Sequence, residues 1–255
     1  MARETRKMPG RARWRLWLGA LAALGVCAST AVAAFKVRDY AVTSGNFTLS
    51  RERPDALSIE GLHYAARSKA MRVFDGDFNH SIFSTPLDER RRRLLAIDWV
   101  EDASVSRVWP DRLAVRIRER RPVAFVSFSS GVLLIDAHGV LLDPPAQSRF
   151  SFPVLSGIRE DQDEAQRAEC VQVLLRLQRE LGDRSGDISE VNAADPDDVR
   201  VVARVDNQTV ELLMGDSNFE ARYRTFLGHF AEIRRKSPEG KIFDLRLDDR
   251  ITVKE

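Results

Sequence analysis

Residues 99–126 read WVEDASVSRVWPDRLAVRIRERRPVAFV, and this stretch sets the frame for the rest of the chain. Two runs of alternating apolar and polar residues flank Trp109-Pro110-Asp111-Arg112. A period of two belongs to a strand with one face buried. Trp99, Ala103, Val105 and Trp109 share one face of the first run, and Leu113, Val115 and Ile117 share one face of the second. Pro110 restricts its own φ and Asp111 can bond nearby backbone, so the segment between them reads as a turn and the whole as a β-hairpin. Arg116 and Arg118 fall on the face opposite Leu113. The basic residues therefore mark the outer, solvated face of the hairpin, with Glu101, Asp102 and Glu119 close in sequence.

Towards the N-terminus the pattern stays regular. Residues 56–62 (ALSIEGL) alternate as a strand, with Leu57 and Ile59 on one face and Gly61 at the closing bend. Residues 65–74 read as a short helix, followed by a loop anchored by Phe78, Ile82 and Phe83. A second helix is expected from about 86 to 96, with Thr85 or Ser84 as its cap and Pro86 near the first helical position. Residues 90–93 are four consecutive arginines, read as a solvated helix face or as a docking site for an acidic partner. The order is strand, helix, helix, strand, strand: two helices can cover one face of a three-stranded sheet.

Beyond residue 122 come short strand-like runs at 123–128, 131–136 and 139–142, with a tight turn at Asp136-Ala137-His138-Gly139, and a short apolar element at 152–157. Residues 161–181 form an amphipathic helix with Val171, Leu174, Leu177 and Leu181 on one side. Strands are expected at 187–192, 199–205 and 208–214. Ser217 and Glu220 have capping-box spacing and open a helix whose Phe219, Tyr223, Phe226, Leu227, Phe230 and Ile233 form a stripe. The chain closes with a strand at 241–247 (KIFDLRL), an Asp248-Asp249 turn and RITVKE.

At the other end, residues 1–15 carry six basic residues against Glu4, a local charge of +5 in a chain whose net charge is +2, which leaves the remainder mildly acidic. Residues 16–35 hold no charge. Twenty residues at about 1.5 Å each span the roughly 30 Å of a bilayer core. The basic flank places the N-terminus in the cytoplasm and everything after Lys36 outside, with Trp14 and Trp17 at the inner interface. Ala31-Val32-Ala33 also has the small-residue spacing of a signal-peptidase site, although twenty residues is long for a cleavable core. Cys27 in this segment and Cys170 far downstream offer no intradomain disulfide.

The chemistry of catalysis is not visible. The four histidines (His63, His80, His138, His229) have no His or Cys partner at ligand spacing, and no nucleophile elbow or phosphate loop occurs. Asp75-Gly76-Asp77 lacks the downstream Glu of a calcium loop. The basic segments lack interleaved aromatics for base stacking. The reading is thus no enzyme, no cofactor, no metal, no nucleic acid and no small-molecule substrate. What remains is an interaction module. A terminal strand at a sheet edge can receive a partner strand, and residues 241–254 are the candidate; Lys241, Asp248, Asp249, Arg250 and Lys254 equally suit an edge guarded by charge.

Taken together, the basic tail, the single span, SIEGLHYAARSKAM, the hairpin running into Glu119-Arg120-Arg121-Pro122-Val123-Ala124, IDAHGVLLD, FPVLSG and the terminal KIFDLRL resemble the bacterial cell-division family FtsQ, also called DivIB, over nearly the whole chain. The resemblance implies an α+β fold: cytoplasmic tail 1–15, a single transmembrane helix 16–35, linker 36–55, a POTRA domain (β-α-α-β-β) over 56–125 and a mixed, mainly antiparallel β domain with helices over 126–255. It implies a septal scaffold in the cytoplasmic membrane that links early division proteins such as FtsK to FtsB, FtsL, FtsW and the septal synthase. Carried over by motif, partner-binding residues are Phe243, Asp244, Leu245, Arg246 and Leu247 with the strand Arg250, Ile251, Thr252, Val253 and Lys254. Arg222 and Arg235 on the preceding helix are weaker additions, and Val105 and Arg107 mark the recruitment surface of the hairpin. Leu247 stands where many relatives carry an aromatic residue. The other reading of a POTRA unit is a component of envelope transport or barrel assembly.

Overall fold

A computed structural model of the chain describes residues 10–146, 148–247 and 249–254. Most of the basic tail and Asp248 of the expected turn lie outside the described residues. Helix α1 (Gly10–Thr43) is continuous for 34 residues. It runs eight residues past the expected end of the span because 36–43 contain neither Gly nor Pro, and it stops where Ser44 turns extended ahead of Gly45. Its Gly19–Thr43 portion is long and apolar enough to cross a membrane, and its most apolar stretch is not buried against the rest of the chain.

The remainder falls into two units. The first takes in residues up to Leu62, with Ala66–Ile97 and Asp102–Arg118. Its elements are β1 (Leu57–Glu60), α2 (Arg67–Arg72), α3 (Leu87–Leu95), β2 (Val100–Val108) and β3 (Arg112–Glu119), the β-α-α-β-β order expected. The sheet runs β1-β3-β2, with β1 parallel to β3 so that Leu57 faces Leu113 and Ile59 faces Val115. All four of these side chains are buried, as is Ile117, so the period-two reading selects the right face. Gly61 closes β1 at φ +87°, and a Cβ there would lie 1.9 Å from the carbonyl oxygen of Ile117.

Four expectations for this unit need correction. Residues 44–53 are not a free linker: Leu49 is buried, and its N–H and C=O pair with His80 and Asn79 at 2.9 Å each. Helix α3 has no side-chain cap; Pro86 occupies the capping position, and Asp88 and Glu89 in the first turn complement the helix dipole instead. Trp109 is exposed, because it lies past the end of β2, where the alternation no longer refers to the sheet. The arginine run is a solvated face only in part: Arg91, Arg92 and Arg93 are exposed, and Arg90 is not. At 100° per residue four consecutive side chains sample the whole helix circumference. Arg90 is accordingly buried and holds buried Asp77 through two bonds of 2.6 and 2.9 Å. Arg91 donates to the Ala103 carbonyl at 2.7 Å, and Arg93 pairs with Glu89.

The second unit comprises His63–Ala65, Asp98–Glu101 and the chain from Glu119 onward. Its strands are β4 (Pro122–Phe128), β5 (Gly131–Asp136), β6 (Leu141–Leu142), β7 (Val154–Ser156), β8 (Ile188–Asn192), β9 (Val199–Val205), β10 (Gln208–Gly215), β11 (Ile242–Asp244) and β12 (Thr252–Lys254). They form one nine-stranded sheet in the order β12-β11-β10-β9-β8-β7-β4-β5-β6. The pairs β4–β7, β7–β8 and β10–β11 are parallel and the other five antiparallel, a mixed and mainly antiparallel sheet. The carboxylate of Glu119 closes the start of the unit by accepting the backbone N–H groups of His63, Tyr64 and Ala65 at 2.7–3.0 Å.

Helices α4 (Glu164–Leu181) and α5 (Phe219–Lys236) bury their stripes in the core: Val171, Leu174, Leu177 and Leu181 from one, Phe219, Tyr223, Phe226 and Phe230 from the other. The expected capping box at Ser217 does not form. Asn218 adopts the left-handed conformation without a side-chain cap, and the Phe219 N–H is instead accepted by the Glu180 carboxylate of α4 at 2.9 Å.

Candidate partner-binding edge

The terminal segment 241–247 does not make one long edge strand. Only Ile242–Asp244 is strand, and it is interior: β11 is parallel to β10, with Phe243 opposite Leu212, and antiparallel to β12, with Phe243 opposite Val253. The outermost strand is β12, at the end of the sheet order. The side that β12 turns away from β11 is therefore where backbone groups are open to another strand.

Between β11 and β12 the chain leaves the sheet, and the Asp244-Leu245-Arg246 motif shows how. Leu245 is buried in the core, and its N–H donates to the Leu213 carbonyl at 3.0 Å. Arg246 folds back on buried Asp244, with Nε 2.8 Å from Oδ1 and a second nitrogen 2.5 Å from Oδ2. The same guanidinium reaches Asp198 at 3.2 Å, and Lys254 lies 3.8 Å from Asp244. Hydrogen bonding from Arg246 holds the Asp244 carboxyl down to about 2, against the cost of its burial. The motif is a clamp on the bend that lets β12 return alongside β11.

Helix α5 is stapled to this end of the sheet by two further arginines. Arg222 donates to the carbonyls of Met214 at 2.6 Å and Arg246 at 3.2 Å. Arg234 donates to Pro238 at 2.9 Å and Gly240 at 2.7 Å, with its guanidinium over the rings of Phe230 and Phe243. Between α5 and the 245–251 bend lies an open groove of about 770 Å³. Ala221, Thr225, His229 and Ile233 line one wall and Leu247 and Ile251 the other; Arg222, Glu232, Lys236, Asp249 and Arg250 place charges of both signs around them.

The structure divides the expected site residues. Leu247 is 52% exposed, and Leu247, Arg250 and Ile251 line the groove together with Arg222. Thr252 and Lys254 are exposed on β12, and Val253 packs partly on the core. Phe243, Asp244 and Leu245 are buried, with Phe243 against Phe226 at 5.0 Å between ring centroids, so their side chains shape the edge from beneath. Arg235 is exposed on the last turn of α5 outside the groove lining. In the first unit Val105 is half-buried, and the Arg107 guanidinium is engaged, donating to the carbonyls of Ile82 and Thr85 at 2.6 and 2.8 Å. The groove residues that sequence reasoning missed, Ala221, Thr225 and His229, follow one another at intervals of four on the side of α5 away from its apolar stripe. That spacing is a legible helical face.

Among the described residues no group of three or more His, Cys, Asp or Glu could hold a metal ion. The long apolar N-terminal helix, the β-α-α-β-β unit and the mixed-sheet unit with its open terminal edge define a POTRA-bearing protein with a candidate membrane anchor. Residues 53–120 match the family profile described as POTRA domain, FtsQ-type, and residues 124–246 that of the cell division protein FtsQ/DivIB C-terminal region. Relatives point the same way. The chain is 36% identical over 241 residues to the cell division protein FtsQ of Koribacter versatilis (strain Ellin345), which covers 92% of this chain and 69% of the relative. To the FtsQ of Zymomonas mobilis it is 34% identical over 104 residues, 40% of this chain and 33% of the relative. To that of Bordetella pertussis it is 32% identical over 78 residues, 31% of this chain and 29% of the relative. The chain belongs to the FtsQ/DivIB family of cell-division proteins. The FtsQ-type assignment of the POTRA unit does not favour an envelope-transport or barrel-assembly role.

Proposed function

We propose that the chain is a bitopic scaffold of the bacterial divisome. In this reading α1 spans the cytoplasmic membrane with the N-terminus inside, both units work outside it at the septum, and the protein binds rather than catalyses. The first unit serves recruitment with early components such as FtsK. The second receives the FtsB–FtsL pair and through it FtsW and the septal synthase.

The observation that carries the reading is the outer edge of β12 beside the groove. An extended partner segment can add to β12 through backbone hydrogen bonds, while its continuation lies in the groove against Leu247 and Ile251. Leu247 in place of an aromatic residue changes the side-chain contact and leaves backbone pairing intact. The 241–247 segment first expected to supply the edge instead supports it from the interior, and the named edge is 252–254.

The test is the affinity of the full chain in nanodiscs for a purified FtsB–FtsL pair. Leu247→Glu combined with Thr252→Pro is expected to weaken binding by about tenfold or more, since each strikes one half of the site. Both side chains are exposed, and circular dichroism checks that the double variant is folded. Unchanged affinity in a folded double variant would remove this edge from the partner site. A fluorescent N-terminal fusion that never concentrates at mid-cell would remove the septal role as well.

A further inference from the structure

The turn between β2 and β3 carries an aromatic cluster that neither the core nor the partner edge uses. Trp109 is 66% exposed and Val108 beside it 40%. The Trp109 ring meets Phe47 edge-on at 5.5 Å and Phe83 at 5.8 Å between centroids. Phe47 in turn meets Tyr40 at 6.2 Å, and Tyr40 belongs to α1. The contact is fixed by more than ring packing. Ser81 donates its hydroxyl to the Ala41 carbonyl of α1 at 2.7 Å, Ile82 donates its N–H to Phe47 at 2.9 Å, and Thr48 bridges to Ser81. The hairpin tip is therefore tied to the outer end of the apolar helix.

Depth follows from the helix. The charge-free segment ends at Phe35, and Tyr40 comes five residues later, about 7–8 Å further along the axis at 1.5 Å per residue. The headgroup layer adds roughly 5–8 Å to each side of the hydrocarbon core. Tyr40 thus emerges at the outer interface, and Trp109 is two ring contacts away. Tryptophan and tyrosine favour this layer, where an apolar ring and a polar N–H or O–H are both satisfied. The acidic neighbours do not oppose it: Asp111 is held by Arg53 at 2.6 Å and Asp55 by Arg112 at 3.3 Å.

We propose that the Val108–Trp109 tip rests in the outer headgroup layer of the membrane that α1 crosses, giving the first unit a second lipid contact besides its covalent anchor. The occupant of this exposed patch is the lipid surface itself, as its continuity with the apolar helix argues. The proposal depends on α1 being a span, and the experiment separates the two.

The full chain is reconstituted in phosphatidylcholine nanodiscs with and without bromine high on the acyl chains. The emission that Trp109→Phe removes is expected to be strongly quenched in the brominated discs. The emission that Trp17→Phe removes reports α1 in the same samples. If the Trp17 component is quenched and the Trp109 component is equal in both discs, the tip does not touch lipid and the proposal is overturned while the span stands. If neither is quenched, α1 does not cross the bilayer and both fall. Because Trp109 is exposed, its substitution does not threaten the fold.

Discussion

Replacing Arg246 by Ala isolates the clamp that positions the outermost strand, β12. Asp244 is buried, and Arg246 supplies its two shortest hydrogen bonds, at 2.8 and 2.5 Å. Its carboxyl sits at about 2 in the folded chain, against an ordinary value near 3.8. At about 1.36 kcal/mol per unit this depression corresponds to a ceiling of ~2.5 kcal/mol. The Arg246 side chain is 41% exposed and Lys254 remains 3.8 Å from Asp244, so screening and compensation reduce the expected loss to about 1–2 kcal/mol. The sign follows from linkage. A carboxyl whose folded value lies below its unfolded value contributes fully above about pH 4, and the contribution fades as pH falls through about 2, with about half gone by pH 3. A chain carrying Trp14→Phe, Trp17→Phe and Trp109→Phe keeps Trp99, buried beside Leu134 and Leu142, as reporter of the second unit. Urea unfolding of this chain with and without Arg246→Ala, crossed with Asp244→Asn, should show a coupling of about 1 kcal/mol or more at pH 7 that shrinks towards pH 3. A coupling under about 0.3 kcal/mol, or one that does not change between pH 7 and pH 3, would refute the clamp.

Two further outcomes test the first unit. Gly61→Ala should destabilise it by about 2 kcal/mol or more, because its φ is positive and a Cβ meets the Ile117 carbonyl; hydrogen exchange at 57–60 and 113–117 should rise accordingly, and unchanged protection would contradict the geometry. Arg90→Ala should cost about 3 kcal/mol or more by stranding buried Asp77, whereas Arg93→Ala, an exposed pair with Glu89, should cost under about 0.5 kcal/mol; equal losses in urea unfolding would mean that the run acts as a uniform surface after all.

The legible part of the molecule was the part written in short-range patterns. Alternation from Leu113 to Ile117, the stripes of α4 and α5, and the charge-free run at 16–35 each follow from a period or a length, and each is set by neighbours in sequence. The order β-α-α-β-β could be read for the same reason. Tertiary structure decided what each charged residue does. Nothing in four consecutive arginines says that Arg90 is the one facing Asp77, and nothing in the hairpin alternation says that Arg107 is engaged by the Ile82 and Thr85 carbonyls. The N-terminus of α5 met Glu180, some forty residues away in sequence, instead of its own capping box. The edge was decided the same way. Residues 242–244 and 252–254 are both short strands, and only the parallel pairing of β11 with β10 makes the first interior and the second outermost. Periodicity records which side of a strand or helix is apolar. It holds no information on which distant segment supplies the next hydrogen bond, and which strand lies outermost depends on that.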